Sequence, residues 1–186
     1  MLSLTKKSAV AVACAALLSS GAFAWSDKNP DVGGAAMYPT KTIVENAVNS
    51  KDHTTLVAAV KAAGLVDTLS GKGPFTVFAP TDTAFAKLPA GTVESLVKPE
   101  NKGTLTKILT YHVVPGRLTA GNIQSMAARH GGTATLTTVQ GETLKVRKGG
   151  GYWWVVDAKG GKSRITIPNV MQSNGVIHVV DGVLMP

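Results

Sequence analysis

Four histidines, His53, His112, His130 and His178, are the side chains here that could move protons near neutral pH. His112 and His178 stand in matching apolar runs, Tyr-His-Val-Val and Ile-His-Val-Val. On neighbouring strands their imidazoles would supply half of a zinc site. No third ligand is spaced to complete one, so we expect two half-buried histidines hydrogen-bonded to backbone, and no metal. His53 opens a helix and His130 precedes a Gly-Gly pair, so both are expected at the surface. Other catalytic signatures are missing. The sequence has no G-x-S-x-G elbow, no H-E-x-x-H and no Walker loop. Gly149 to Gly151 lies between two strand-like runs and opens no helix, so it reads as a hairpin turn and not a phosphate cradle. The single cysteine, Cys14, falls in an N-terminal apolar segment. The expectation is a protein that is not an enzyme and carries no cofactor.

Side chains suited to binding are better represented. In a strand, Trp153 faces opposite to Tyr152 and Trp154, so one side enters a core and the other can present aromatics. Exposed aromatic faces stack on sugar rings or bases. The formal net charge is +8, and Arg117 to Arg164 holds eight basic and two acidic residues. Lys145, Arg147 and Lys148 with Tyr152 and Trp154 therefore form a candidate basic and aromatic surface. Two readings stay open. Solvated lysines on strand edges discourage edge-to-edge pairing, and six excess charges are ordinary for a domain of this size. Alternatively, the patch attracts an anionic surface such as acidic polysaccharide or lipid headgroups.

These side chains need a scaffold. Lys6-Lys7, the apolar Ser8 to Leu18 and Ala22-Phe23-Ala24 have the order of a signal peptide over residues 1–24, too short to span a bilayer. Export would remove Cys14, exclude disulfides and disfavour a nucleic-acid partner. Residues 25–36, with Asn29-Pro30 and Gly33-Gly34, read as a flexible leader, and one domain is expected over residues 37–186. Apolar residues at helical spacing predict a helix from Lys41 to Ser50 capped by Thr40 or Thr42, and another from His53 to Ala63 closed by Gly64. A further turn carries Leu65, Val66 and Leu69. Phe75 to Ala79 is β-rich and stops at Pro80. Short helices follow, presenting Ala84, Phe85 and Leu88, then Val93, Leu96 and Val97, then Leu105, Ile108 and Leu109. His112-Val113-Val114 is extended, and strands are expected at Thr133–Val139, Thr143–Arg147, Tyr152–Asp157, Arg164–Ile167, Val176–Val180 and Val183–Met185. With no βαβ alternation, the class is α+β with antiparallel strands.

Three ordered blocks then resemble the fasciclin (FAS1) family. Phe75 to Phe85, FTVFAPTDTAF, resembles its first signature. Tyr111-His112, in YHVVPGRL, resembles the Tyr-His pair between the signatures. Ser173 to Pro186, SNGVIHVVDGVLMP, resembles the closing block. The resemblance covers about Met37 to Pro186. It implies a β-sandwich wedge flanked by several short α-helices, working in adhesion and extracellular binding without catalysis. In animal members the Tyr-His region and an Asp-Ile pair are linked to receptor binding. Tyr111 and His112 match, whereas the Asp-Ile position is Asn169-Val170, which loses the charge. The implied partner is a cell-surface or matrix protein or an acidic polysaccharide. The implied location is periplasmic or extracellular, in a single-domain bacterial secreted protein. A periplasmic small-molecule carrier and a structural protein of the cell envelope are the alternatives.

Overall fold

Two apolar runs, FTVFAP and GVIHVV, are buried on both faces and run side by side at the centre of the molecule. The computed structural model describes residues 29–186. Strands β1 (Phe75–Pro80) and β7 (Gly175–Val180) pair in parallel, with Phe78 opposite His178. The remaining strands are β2 (Val113–Pro115), β3 (Thr133–Thr137), β4 (Thr143–Gly149), β5 (Tyr152–Val156) and β6 (Lys162–Gln172). The sheet order is β2-β1-β7-β6-β5-β4-β3. All pairs but β1 with β7 are antiparallel. The expected all-antiparallel sheet is thus corrected by one parallel pair, made possible because the whole helical and hairpin region separates β1 from β7 in the chain.

Period-two alternation sends the central strands into two cores. Val77, Ala79, Ile177 and Val179 face one layer, under helices α1 (Ile43–Ala47), α2 (Thr54–Ala63), α3 (Val66–Ser70), α4 (Asp82–Ala86), α5 (Thr92–Leu96) and α6 (Lys102–Tyr111). Phe78 and Val180 face the other, against Leu136, Leu144, Val146 and Val155 of the β3-β4-β5 arm. Fully burying Phe78 and Leu144 contributes about 2 kcal/mol each. The arm folds over because β6 loses regular register between Ile165 and Val170, where Asn169 takes φ 59°. Beyond β3, the Val139 N–H donates to the Val113 carbonyl at 2.7 Å and closes the wedge against β2.

Local chemistry places the helices largely as expected. Thr42 and Glu45 form a reciprocal capping box on α1, and Gly64 ends α2 in the left-handed region at φ 73°. Several expectations are corrected. Helix α7 (Ala120–Arg129) occupies a segment given no helix from sequence; a Thr119–Asn122 capping box starts it, and Ile123 and Ala127 enter the second core. Val183–Met185 forms no strand, although Leu184 is fully buried as a plug. Val97 is 36% exposed because α5 rests only lightly on the core. Packing also starts before Met37. Asn29 brackets Met171, donating to its carbonyl at 2.6 Å and accepting from its N–H at 2.9 Å, and Val32 is buried. The expected signal segment lies outside the described residues.

Candidate functional site

The Tyr-His pair sits where α6 hands the chain to β2, and both side chains are inside. Tyr111 is fully buried; its hydroxyl donates to the Thr143 carbonyl at 3.1 Å and accepts from the Ala158 N–H at 2.8 Å. Burial pushes the phenol pKa up. His112 is not in a strand but at the C-cap of α6. Since a carbonyl only accepts, the Ile108 oxygen at 2.8 Å fixes the proton on Nδ1, leaving Nε2 to accept from the Leu184 N–H at 3.0 Å. Desolvation lowers the His112 pKa to about 4, against a smaller opposing pull from the Ile108 carbonyl.

His178 has the opposite tautomer. Its Nε2–H donates to the Leu118 carbonyl at 2.8 Å, and Nδ1 accepts from the Asn169 N–H at 3.3 Å. Burial lowers its pKa, with the Leu118 carbonyl opposing. Its ring stacks on Phe78, with centroids 5.6 Å apart. Strand β1 lies between β2 and β7, so the two histidines are not neighbours across a strand pair, and both are buried instead of half-buried. Among the described residues no group of three or more potential ligands is gathered to hold a metal.

Asn169 and Val170 serve the bend in β6. Asn169 tolerates the left-handed backbone and accepts from the Ala120 N–H at 2.7 Å, anchoring the start of α7. Val170 is fully buried in the helical-side core. The bonds of Tyr111 and His112 therefore lead to Thr143, Ala158, Ile108 and Leu184, while those of Asn169 lead to Ala120 and His178. Three of these four residues offer no surface to a partner.

His53 is a further correction. It is buried, with Nδ1 2.8 Å from Ser50 Oγ, and its Nε2 has no hydrogen-bond partner. Desolvation lowers its pKa, with the Ala79 carbonyl and the Asp82 and Asp52 carboxylates opposing. His130 is exposed as expected. His53 and His112 edge an apolar pocket walled by Ile43, Leu56, Val77 and Ile177, with about 50 Å³ of free space. That admits a few waters and falls well short of the ~150 Å³ cavities that take up a benzene-sized guest.

The basic and aromatic residues form a surface. Register places Arg147 of β4 opposite Trp154 of β5, and Trp154 opposite Arg164 of β6. One step along, Lys145 faces Val156, and Val156 faces Lys162. All point away from the core occupied by Val146, Val155 and the half-buried Trp153. Tyr152, 52% exposed, continues this face, with the Arg164 guanidinium 4.9 Å from its ring centroid. The Trp154 indole N–H donates to the Gly149 carbonyl at 2.9 Å, which holds the ring against the hairpin. Arg147, Lys148, Gly149, Trp154 and Lys162 line a shallow open groove. Lys148 pairs with Trp153 and so alternates away from Arg147, yet at the hairpin tip it still borders the groove. Lys162 and Arg164 were missed from sequence; the signal was there, since Gly160-Gly161 makes a second hairpin and sets them beside Trp154.

Comparison with known proteins settles the family. Residues 51–186 match the Fasciclin domain. The chain belongs to the fasciclin family. It is 51% identical over 163 residues to the protein sll1483 of Synechocystis, covering 87% of this chain and 82% of that one. It is 37% identical to the immunogenic protein MPB70 of Mycobacterium bovis, covering 75% of this chain and 66% of that one. The transforming growth factor-beta-induced protein ig-h3 of Sus scrofa is 34% identical, with 80% of this chain matching 20% of that protein. Among solved structures, a FAS1 domain pair from the insect cell adhesion molecule Fasciclin I aligns with a TM-score of 0.68 at 21% identity, over 78% of this chain and 51% of that one. The seven-stranded sheet with short flanking helices is the FAS1 fold. No helix among the described residues is long and apolar enough to cross a membrane.

Proposed function

We propose that this fasciclin domain is an exported, non-catalytic binding module acting in adhesion at a cell surface, in the envelope or in a matrix, with a protein or polysaccharide partner. One observation carries the reading: His112, His178 and Tyr111 are spent on backbone hydrogen bonds inside the cores, while cations and aromatics are displayed together on the outer face of β4, β5 and β6. Two relatives lend support by their descriptions, a cell-surface glycolipoprotein of Mycobacterium bovis, MPB83, and the insect adhesion molecule. The small apolar pocket gives the carrier alternative little room.

The test is a binding screen of the purified protein against immobilised envelope fractions, matrix proteins and glycans at low and physiological salt. Reproducible capture by one class supports the module. A folded protein that retains none of them, yet binds a stoichiometric small apolar molecule, overturns the reading in favour of a carrier.

A further inference from the structure

We infer that the outer face of β4, β5 and β6 is a binding site for an acidic polysaccharide whose chain runs across the strands from Arg147 over Trp154 to Arg164, with Lys145 and Lys162 as a second cationic row. This rests on the binding-module reading and names its ligand.

The geometry follows from register. Strands lie about 4.8 Å apart, so the backbone positions of the flanking cations in each row are roughly 10 Å apart, about the length of a disaccharide. The two rows are separated by two residues along each strand, roughly 7 Å. Anionic groups on alternate sugars of an extended chain match the separation within each row. A pyranose between them meets Trp154, the central member of the arginine row, and Tyr152 extends the aromatic track on the same face.

Charge complementarity selects an anion. The ion pair found among the described residues is Arg164 with Asp181 at 3.6 Å, so Lys145, Arg147 and Lys162 carry no carboxylate partner there. Glu142, the nearest acid along β4, sits one residue before the strand on the β3–β4 turn. Two considerations favour a polysaccharide over a lipid surface. The Trp154 ring is tied back to Gly149, and the Tyr152 ring lies under the Arg164 guanidinium, so both aromatics are held along the face and not projected from it.

The test measures retention of the purified protein on heparin and on alginate, with neutral dextran as control, and binding to vesicles of phosphatidylserine and phosphatidylcholine. Binding to the anionic glycans, none to dextran, and steep weakening between roughly 50 and 300 mM salt are expected. The double variant Arg147→Glu, Lys162→Glu should lose about tenfold or more in affinity, and Trp154→Ala should lose affinity with little change in salt dependence. Lys61→Glu with Lys98→Glu, an equal charge change on the helical side, should bind like the parent. Circular dichroism confirms that each variant is folded. Equal loss in both double variants, or undiminished binding by the Arg147, Lys162 variant, overturns the site. Tighter binding to the vesicles than to either glycan overturns the ligand class. Failure on glycans with retained capture by a protein partner overturns this inference alone, whereas failure on both also removes the binding-module reading.

Discussion

The Nε2 atom of His112 accepts the backbone N–H of Leu184 at 3.0 Å, fastening the end of the chain to the last turn of α6. The same imidazole donates from Nδ1 to Ile108, so it works only as the neutral ring. A histidine with these bonds is a structural clasp between the apolar pocket that its ring edges and the second core, where Leu184 is fully buried.

Acid should open that clasp. The folded pKa of His112 is lowered to about 4, below the ordinary 6.5. The unfolded chain therefore takes up this proton first as pH falls, and stability drops between pH 6.5 and about 4, by up to about 3 kcal/mol from this group. His178 is shifted the same way and adds to the loss. His112→Ala should destabilise the protein by about 2–4 kcal/mol at pH 7 through the unpaired Leu184 N–H and the cavity. The gap between parent and variant should narrow by pH 4.5, as followed by thermal denaturation. A constant gap across that range would assign the acid sensitivity elsewhere.

Tyr111 has the same status. Tyr111→Phe deprives the Thr143 carbonyl and the Ala158 N–H of their partner, which costs about 1–3 kcal/mol. Urea unfolding should show that loss while capture by a binding partner is unchanged, because the ring is fully buried. A stable Tyr111→Phe protein that no longer binds would restore the pair as a contact surface.

The sequence already exposed much of this. Thr42 and Gly64 act within four residues of what they control, so α1 and α2 were readable from local rules. The apolar, β-rich runs from Phe75 and from Val176 announced strands, but nothing local says that β1 and β7 lie side by side in parallel. Helix α7 escaped because its apolar stripe is thin, Ile123, Met126 and Ala127 among polar neighbours, and its Thr119 cap uses Asn122 in place of the usual acid. The candidate site was half legible. Lys145, Arg147, Tyr152 and Trp154 stood out by type, whereas Lys162 and Arg164 join them only through strand pairing. His112 was expected half-buried with a backbone bond, and the Ile108 carbonyl four residues back supplies one; the full burial of His112 and Tyr111 was not legible, since their partners at Thr143, Ala158 and Leu184 are remote in sequence.

Asn174 is another long-range tie. Its Oδ1 accepts the Ile43 N–H at 3.0 Å, and its Nδ2 donates to the Leu69 and Gly71 carbonyls at 2.7 and 2.9 Å. One amide thus holds the start of α1 and the end of α3 to the β6–β7 turn. Asn174→Ala leaves those buried groups unpaired and should cost about 2–4 kcal/mol. The expected readout is a lowered denaturation midpoint with faster amide exchange in α1 and α3. Protection lost evenly across the sheet instead would mean that the turn itself has failed.

Asp82 explains why His53 was misplaced. His53 occupies the N-cap position of α2 but makes no side-chain cap there. The cap comes from the first residue of α4. The Asp82 carboxylate accepts from the Thr54 and Thr55 N–H groups at 3.2 and 2.8 Å and from the Thr54 hydroxyl at 2.6 Å. With its cap supplied from outside, α2 leaves the His53 ring free to turn inward against Ser50. Desolvation alone would raise the Asp82 pKa, but the bonds from Thr54 and Thr55 outweigh it and bring the pKa below 3.8. A carboxylate lowered in this way stabilises the fold above its unfolded pKa, and the contribution disappears as pH falls through the folded value. Asp82→Ala should therefore destabilise by about 1–2 kcal/mol at pH 7, through the lost cap and the lost charge at the N-terminus of α2. Asp82→Asn, which can still accept one N–H bond, should lose less. As pH falls below 3.8 the gap in thermal stability between the parent and Asp82→Ala should narrow. If the difference stays undiminished as the carboxylate is titrated, Asp82 acts through packing and not as a charged cap.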